Sequence, residues 1–477
     1  METVNKTKIV ATTGPASSDE KVLREMILSG INVVRINFSH GTHKEHLQVI
    51  KILDKLDKEL ATCTAVIGDL QGPKLRIGEV ENGSVSIQSG DELSIAFGDG
   101  HSTGRQIYIN YPGIERDVQA GDSILIDDGK IILRATGVKR GNGIGATVIQ
   151  GGDMTARKGV NLPHTDISLP CLTEKDKSDL SFALENRIPW IALSFVRSAA
   201  DIRELRKAIG HHAHQPMIIA KIEKPQAVAN IEEIIDEADG LMVARGDLGV
   251  EVPLEDVPVI QKNIVEKARL ASKPVIIATQ MMESMMDNLS PTRAEVNDVA
   301  NAVTDSADAV MLSGETSVGK HPVEVVKTMH RIIEKAESYE RRTSAGYTPP
   351  EIAEEPRFIT DSICYAACRL ADRAGAKAII TNTFSGYTGL KLAASRPSAP
   401  IFAFTANRKI LHMLGLIRGV RGFYYDKFIS TDVTIADIKK ILLDKGQVEA
   451  GDLVINITSM PIKARGMSNM IKLSVVD

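Results

Sequence analysis

Eight short apolar runs, each followed by a segment of helical periodicity, constrain this chain more than any other feature. The runs are TKIVATTG, INVVRINFS, TAVIGDL, WIALSFV, MIIAKIE, GLMVARGDLG, PVIIATQ and AVMLSGET. Amphipathic stretches such as DEKVLREMILSG and IRELRKAIG lie between them. Continuous apolar character marks strands covered on both faces, as in a parallel sheet. Eight β-then-α units within roughly 245 residues predict an α/β fold of the (β/α)8 TIM-barrel type.

One interval breaks the rhythm. Between the third and fourth runs the chain changes grammar, with GSVSIQSGDELSIAFGDG, RQIYINYPG and GDSILIDDGKIILRATG. Alternating strands joined by Gly, Asp and Asn turns predict an inserted antiparallel β-barrel lid domain over 72–169. It starts at the Gly72-Pro73 turn, so a lid hinged over the barrel mouth is expected. The barrel is thus built from 1–71 and 170–342. A Pro- and Glu-rich linker follows over 343–356, and a C-terminal open α/β domain over 357–477.

Composition narrows the function classes. At 477 residues with 43% apolar content, the chain has ample core for two or three domains. A net charge of −4 gives no basic footprint for nucleic acid. The four cysteines, Cys63, Cys171, Cys364 and Cys368, form no CxxC pair, which suits a reduced compartment. Cys364 and Cys368 lie four apart, on the buried stripe of a predicted helix. No run approaches the roughly 18 apolar residues of a membrane span. The N-terminus, METVNKTKIVATTG, enters a strand with no signal-peptide core. A cytoplasmic protein is expected.

A barrel carries its chemistry at the C-terminal ends of its strands. Residues two apart on a strand face the same way. Together these rules bring Arg35, Asn37, Ser39, Asp69, Ser194, Lys221, Glu223, Arg245, Asp247, Thr279, Ser313 and Glu315 to one mouth. Ordinary salt bridges account for any single pair, but polar ends on seven of eight strands point to an active site. Glu223 and Asp247 are hard oxygen ligands on adjacent strands and suit Mg²⁺; no His joins them to favour zinc. Arg35, Arg76 and Lys221 are cations of the kind that hold phosphate. With no nucleophilic Cys or Ser–His pair, phosphoryl transfer or enolate stabilisation is expected.

Three stretches imitate sites. GETSVGKH (314–321) nearly matches a phosphate loop, but His321 stands where a hydroxyl would meet Mg²⁺; it is expected to be a barrel loop, with Pro322 opening the next helix. HHAH (211–214) falls on the helix-to-strand side, where a solvated loop is expected. Met281, Met282, Met285 and Met286 lie at helical spacing and predict core packing.

The segments TKIVATTGPAS, VVRINFSHG, GDLQGPKLR, KGVNLP, AKIE, MVARGDLGVE, ATQMMESM, PTRAEVNDVANAV and DAVMLSGET together closely resemble the pyruvate kinase family, in family order and over essentially the whole chain. The resemblance implies phosphoryl transfer from phosphoenolpyruvate to ADP, giving pyruvate and ATP. It implies that Lys221 neutralises the moving phosphoryl group and the enolate, and that Arg35 grips phosphate. Glu223 and Asp247 would hold Mg²⁺. The backbone of Gly246 and Asp247, with Thr279, would seat the carboxylate beside Ser194. Asn37, Phe38, Ser39, His40, Arg76 and the lid residue Lys158 would face the nucleotide. Thr279 and a water relay are both candidates for protonating the enolate. A homotetramer is usual in the family. A metal-dependent aldolase of pyruvate is the alternative enzyme, but it leaves the lid and Arg76 unexplained.

In many relatives the groups matching Asn37, Ser39, Asp69 and the Leu70 carbonyl cage K⁺. Those relatives carry Thr-Lys after the Asp, and Glu where this chain has Lys74. Leu70, Gln71, Lys74 and Ile77 resemble the K⁺-independent branch, in which an ammonium on a flexible stem supplies the monovalent charge. In the C-terminal domain, TNTFSGYTG follows a strand and opens a helix. Thr383, Ser385, Gly386, Tyr387 and Thr388 there resemble a sugar-phosphate effector loop. A plain glycine turn is the alternative, and the residues leave both open. Lys463 and Arg465 would add charge nearby.

Overall fold

The structure is a computed structural model describing residues 5–140, 143–163, 165–340, 357–461 and 467–477. The expected linker at 343–356, and Lys463 and Arg465, lie outside the described residues. All eight apolar runs form strands: β1 (Lys8–Thr12), β2 (Val33–Asn37), β3 (Ala65–Asp69), β4 (Trp190–Leu193), β5 (Met217–Ile222), β6 (Gly240–Ala244), β7 (Val275–Ala278) and β8 (Ala309–Leu312). Each pairs in parallel with its sequence neighbours, and β1 closes the barrel on β8.

Two-sided burial explains the unbroken apolar runs. Val10, Val33, Ile67, Trp190, Ile219, Met242, Ile276 and Met311 face inward, while Ile9, Val34, Ile191, Ile218, Leu241, Ile277 and Val310 face the surrounding helices. Those helices are started by their own side chains. Thr42 with Glu45, Thr173 with Asp176, Ser198 with Asp201, and Thr292 with Glu295 form reciprocal caps that satisfy first-turn N–H groups.

The chain leaves the barrel through Gly72, whose φ of +68° and tight packing both demand glycine: a Cβ there would come within 2.9 Å of the Phe195 ring. The lid holds a six-stranded sheet with the two-stranded pair Ser84–Ile87 and Gly152–Thr155 beside it. Its pairing is antiparallel as expected, except that Glu92–Phe97 and Gln106–Ile109 run parallel. The segment between them does not turn back as a hairpin. It crosses to the lid entrance, where Ser102 N donates to the Glu79 carbonyl at 2.7 Å.

The C-terminal domain is a five-stranded sheet in which Met470–Val475 is the antiparallel edge. Cys364 and Cys368 are buried on the helix Phe358–Ala374, as their spacing predicts. This domain packs on the bottom of the barrel, and the barrel interior and the C-terminal helices share one apolar cluster. A buried charged knot sits in that contact. Asp308, just before β8, accepts from Arg396 Nη2 at 2.9 Å and from Arg418 N at 3.2 Å.

Candidate active site

The strand ends converge at the mouth. Arg35 on β2 donates through Nε to Asp69 Oδ2 at 2.6 Å and through Nη1 to Thr12 Oγ1 at 3.1 Å. Thr12 is the polar end of β1, the one strand for which the sequence reading named no site residue. Lys221 Nζ on β5 lies 2.8 Å from Glu223 Oε1 and 3.3 Å from Asp69 Oδ1. It also donates to Ser194 Oγ at 2.7 Å, and Ser194 donates on to the Leu70 carbonyl at 2.7 Å.

These charges are almost fully desolvated, with Asp69 and Glu223 each 1% exposed and Lys221 9%. Burial opposes the charge on Lys221, yet Asp69 and then Glu223 outweigh it and hold the amine above its ordinary pKa. Burial likewise opposes ionisation of Asp69, but Lys221 and Arg35 pull it below the usual carboxylate range. Glu223 moves the other way. Burial raises it, and the neighbouring charge of Asp247 adds to this against the pull of Lys221. The carboxylates of Glu223 and Asp247 offer hard oxygens of the kind that fit a divalent cation such as Mg²⁺.

Strained backbone frames the same mouth. Thr279 has φ +67°, rare for a β-branched residue, and Gln280 (+56°) and Phe195 (+55°) share the region. Phe195 N donates to Glu223 Oε2 at 2.7 Å, and Thr279 Oγ1 accepts from Gly246 N at 2.7 Å. An open groove between lid and barrel is lined by Lys74, Asn161, Phe195, Arg197, Lys224 and Asp247.

Other expected site residues are held by neighbours of their own. β6 stops at Ala244, and a helix, Arg245–Glu251, begins at once, so strand alternation does not govern Arg245. Its guanidinium bonds Asp298 at 2.6 and 2.7 Å and donates to the Thr279 carbonyl at 2.8 Å, so it stays at the mouth. Glu315 is buried and accepts from Met282 N and Ser313 N, a supporting role for the loop. Phe38 is 1% exposed, and its ring packs edge-on against His43, His46 and Phe182. Asn37 Oδ1 accepts from Ser39 N, and His40 is exposed at the rim. Arg76 donates to the Arg157 carbonyl at 2.8 Å, and Lys158 pairs with Asp127 at 3.0 Å, both within the lid.

Lys74 does not join Asp69. It is exposed, with its stem lying against Gly159 in the groove wall. The imitation sites behave as expected. Lys320 pairs with Asp287, and Pro322 opens the helix Pro322–Glu340. His211 and His212 are exposed. Met281, Met282 and Met285 are buried, although that segment carries a short 3-10 turn, Glu283–Met286, in place of an α-helix.

In the C-terminal domain, Gly386 (φ +85°) caps the helix Tyr387–Ala394 and donates its N–H to Thr383 Oγ1 at 2.9 Å. Tyr387 Oη donates to Asp361 at 2.7 Å, under an Arg357 guanidinium stacked 3.9 Å from its ring. Thr388 Oγ1 lies 3.1 Å from Ser468 Oγ, and Ser385 is exposed.

Sequence reasoning missed one further cluster at the mouth. Lys175 donates to the Phe38 carbonyl at 2.5 Å and to Asp179 at 2.7 Å, and Asp179 also bonds His43 at 2.7 Å. The i, i+4 spacing of Lys175 and Asp179 was the only local signal.

Fold and site together define a TIM-barrel enzyme that gathers a buried lysine, an arginine and the carboxylates of Asp69, Glu223 and Asp247 at its mouth, beside an inserted β domain. The chain matches the family description "Pyruvate kinase, barrel domain" over residues 4–326 and "Pyruvate kinase, alpha/beta domain" over residues 361–474. It is 42% identical to a pyruvate kinase of Geobacillus stearothermophilus over 475 residues, covering 99% of this chain and 80% of that one. It is 40% identical to a pyruvate kinase of Clostridium perfringens, covering 99% and 100%. The crystal structure of a pyruvate kinase from Cryptosporidium parvum superposes with a TM-score of 0.91 at 33% identity, covering 99% of this chain and 96% of that chain. The chain belongs to the pyruvate kinase family and is a phosphotransferase. No helix among the described residues is long and apolar enough to cross a membrane.

Proposed function

We propose that the mouth transfers the phosphoryl group of phosphoenolpyruvate to ADP through Lys221 and Arg35. The carrying observation is a lysine held charged by two buried acids, with an arginine on the same acid. Lys221 presents its amine to the group in transit and to the developing enolate, with no reorganisation needed at the moment of reaction. Arg35, oriented by Asp69 and Thr12, grips the phosphate through its remaining N–H groups. Ser194 fixes the Lys221 amine. Thr279 and the backbone of Gly246 and Asp247 seat the substrate carboxylate, and either Thr279 or a water relay protonates the enolate. Glu223 and Asp247 would hold Mg²⁺, which when bound supplies Lewis-acid stabilisation of charged oxygens. Asn37, Ser39 and His40 form the rim toward ADP. Arg76 and Lys158 reach it only by exchanging their present lid partners as the lid moves.

We also propose that turnover is independent of K⁺. The support is the Leu70, Gln71 and Lys74 pattern, together with an Asp69 already matched by two cations. Lys74 takes part only if the lid hinge carries its amine from the groove wall toward that acid. A lactate-dehydrogenase-coupled assay with phosphoenolpyruvate and ADP tests both statements. With K⁺ replaced by tetramethylammonium, activity is expected to stay within about twofold, and Lys74→Glu is expected to create a K⁺ requirement. Collapse of the parent enzyme without K⁺ overturns the second statement; absence of ADP-dependent pyruvate formation in both salts overturns the first.

The loop at Thr383, Ser385, Gly386, Tyr387 and Thr388 is proposed to take a phosphate-bearing effector. Its support is the exposed Ser385 at the start of a helix, with the Arg357 cation beside Tyr387. Calorimetric titration with fructose bisphosphate, glucose 6-phosphate, ribose 5-phosphate and AMP is expected to give heat with at least one; silence from all four removes the role.

A further inference from the structure

Glu251 Oε1 accepts a buried bond from Lys224 Nζ at 2.6 Å and a half-buried one from Asn161 Nδ2 at 2.8 Å. Its other oxygen is buried with no partner, so both donors converge on one atom. Lys224 is 7% exposed and Glu251 3%. Desolvation of such a pair largely cancels its attraction, and an apolar pair of equal volume holds a fold as well or better. Stability therefore does not explain these residues, but geometry does.

Three functional segments meet at this carboxylate. Lys224 follows Glu223 directly. Glu251 closes the seven-residue helix whose first turn carries Asp247. Asn161 ends the lid strand Val160–Asn161. Lys224, Asp247 and Asn161 also line the same groove. The ion pair thus ties the two acid-bearing segments together at a second point, and the lid is bonded to that tie. Mg²⁺ tolerates little departure from octahedral geometry at about 2.0–2.1 Å, so the spacing of two ligating carboxylates matters to it.

We propose that the Lys224–Glu251 pair is a positioning device that sets the spacing of Glu223 and Asp247, and that Asn161 couples this spacing to the lid. The inference rests on the reading of Glu223 and Asp247 as divalent-cation ligands. Mn²⁺ titration of the full-length enzyme by electron paramagnetic resonance, without nucleotide or phosphoenolpyruvate, tests it in the absence of turnover. The double variant Lys224→Met/Glu251→Met is expected to keep its circular dichroism and melting point but to lose about 10–100-fold in Mn²⁺ affinity. Lys224→Gln, a milder change, is expected to lose affinity in the same direction, and Lys224→Arg to retain most of it. Affinity within twofold of the parent in Lys224→Gln and in the folded double variant overturns the positioning role. In the parent, Mg²⁺ is expected to slow amide exchange in the lid, and Asn161→Ala is expected to abolish that slowing; no slowing in the parent, or its persistence in the variant, overturns the coupling. Asp247→Asn and Glu223→Gln serve as controls. If they leave Mn²⁺ affinity unchanged, the ligand assignment itself is wrong, an outcome distinct from failure of the pair alone.

Discussion

Lys221→Met is expected to lower kcat by about 10³-fold or more in the coupled assay, the range seen when one preorganised charge is removed from a phosphoryl-transfer site. That loss corresponds to about 4 kcal/mol of transition-state stabilisation. The fold should suffer much less. Asp69 keeps Arg35, and Glu223 keeps the Phe195 N–H, so neither acid is left without a partner. Rate and stability therefore separate, and a melting curve close to the parent's alongside a dead enzyme is the diagnostic pair. Lys221→Arg should not rescue, because a planar guanidinium cannot take the place of a compact ammonium wedged among Ser194, Asp69 and Glu223. A kcat for Lys221→Met within tenfold of the parent would remove this lysine from the chemistry and leave the proposed mechanism without its central charge.

The barrel was legible because its strands are covered on both faces, which turns each into an unbroken apolar run with a polar end. Lys221 and Glu223 came out together because alternation holds across the end of β5. The same rule does not govern Arg245, where a helix starts directly after β6 and the side chain bonds Asp298 and the Thr279 carbonyl. Period-two reasoning holds only while the backbone stays extended, and the sequence GDLG gave no warning of the switch. Phe38 shows a different limit. Neighbouring Asn37 and Ser39 lie at the rim, but an aromatic ring gains more from packing against Phe182 than from facing solvent. The Lys224–Glu251 and Lys175–Asp179–His43 contacts join residues that only tertiary folding brings together, apart from one i, i+4 pair. The parallel lid pairing of Glu92–Phe97 with Gln106–Ile109 was invisible for the same reason: turn chemistry predicts a hairpin, and the crossing is fixed by bonds to the lid entrance.

Asp308→Ala is expected to be the most damaging substitution away from the mouth. Asp308 is 3% exposed and accepts from the half-buried Arg396 guanidinium and from the backbone N–H of Arg418, both in the C-terminal domain. It also accepts from Val275 N at 3.2 Å, so it joins β7 to that domain. Removing the acid leaves guanidinium charge in a desolvated contact, a loss of about 3–5 kcal/mol. Arg396 feels this most, since burial already pulls its pKa below the ordinary value and Asp308 is the charge that opposes the pull. The double variant Asp308→Ala/Arg396→Met should recover part of the loss, because one stranded charge is removed with its partner. Lys8 supplies a pH signature. Burial, then Arg421, lower it from 10.5 to about 8, while Glu337 and Asp308 support its charge. Between those values the unfolded chain binds a proton that the folded chain does not, so stability rises with pH across that window. Without Asp308 the folded-state pKa falls further, and the rise should begin below pH 8. Urea unfolding of parent and variant from pH 6.5 to 10 reads both effects. A destabilisation under about 1 kcal/mol, or a pH slope that does not move, would mean that the apolar cluster shared by barrel and C-terminal domain holds them together without this knot.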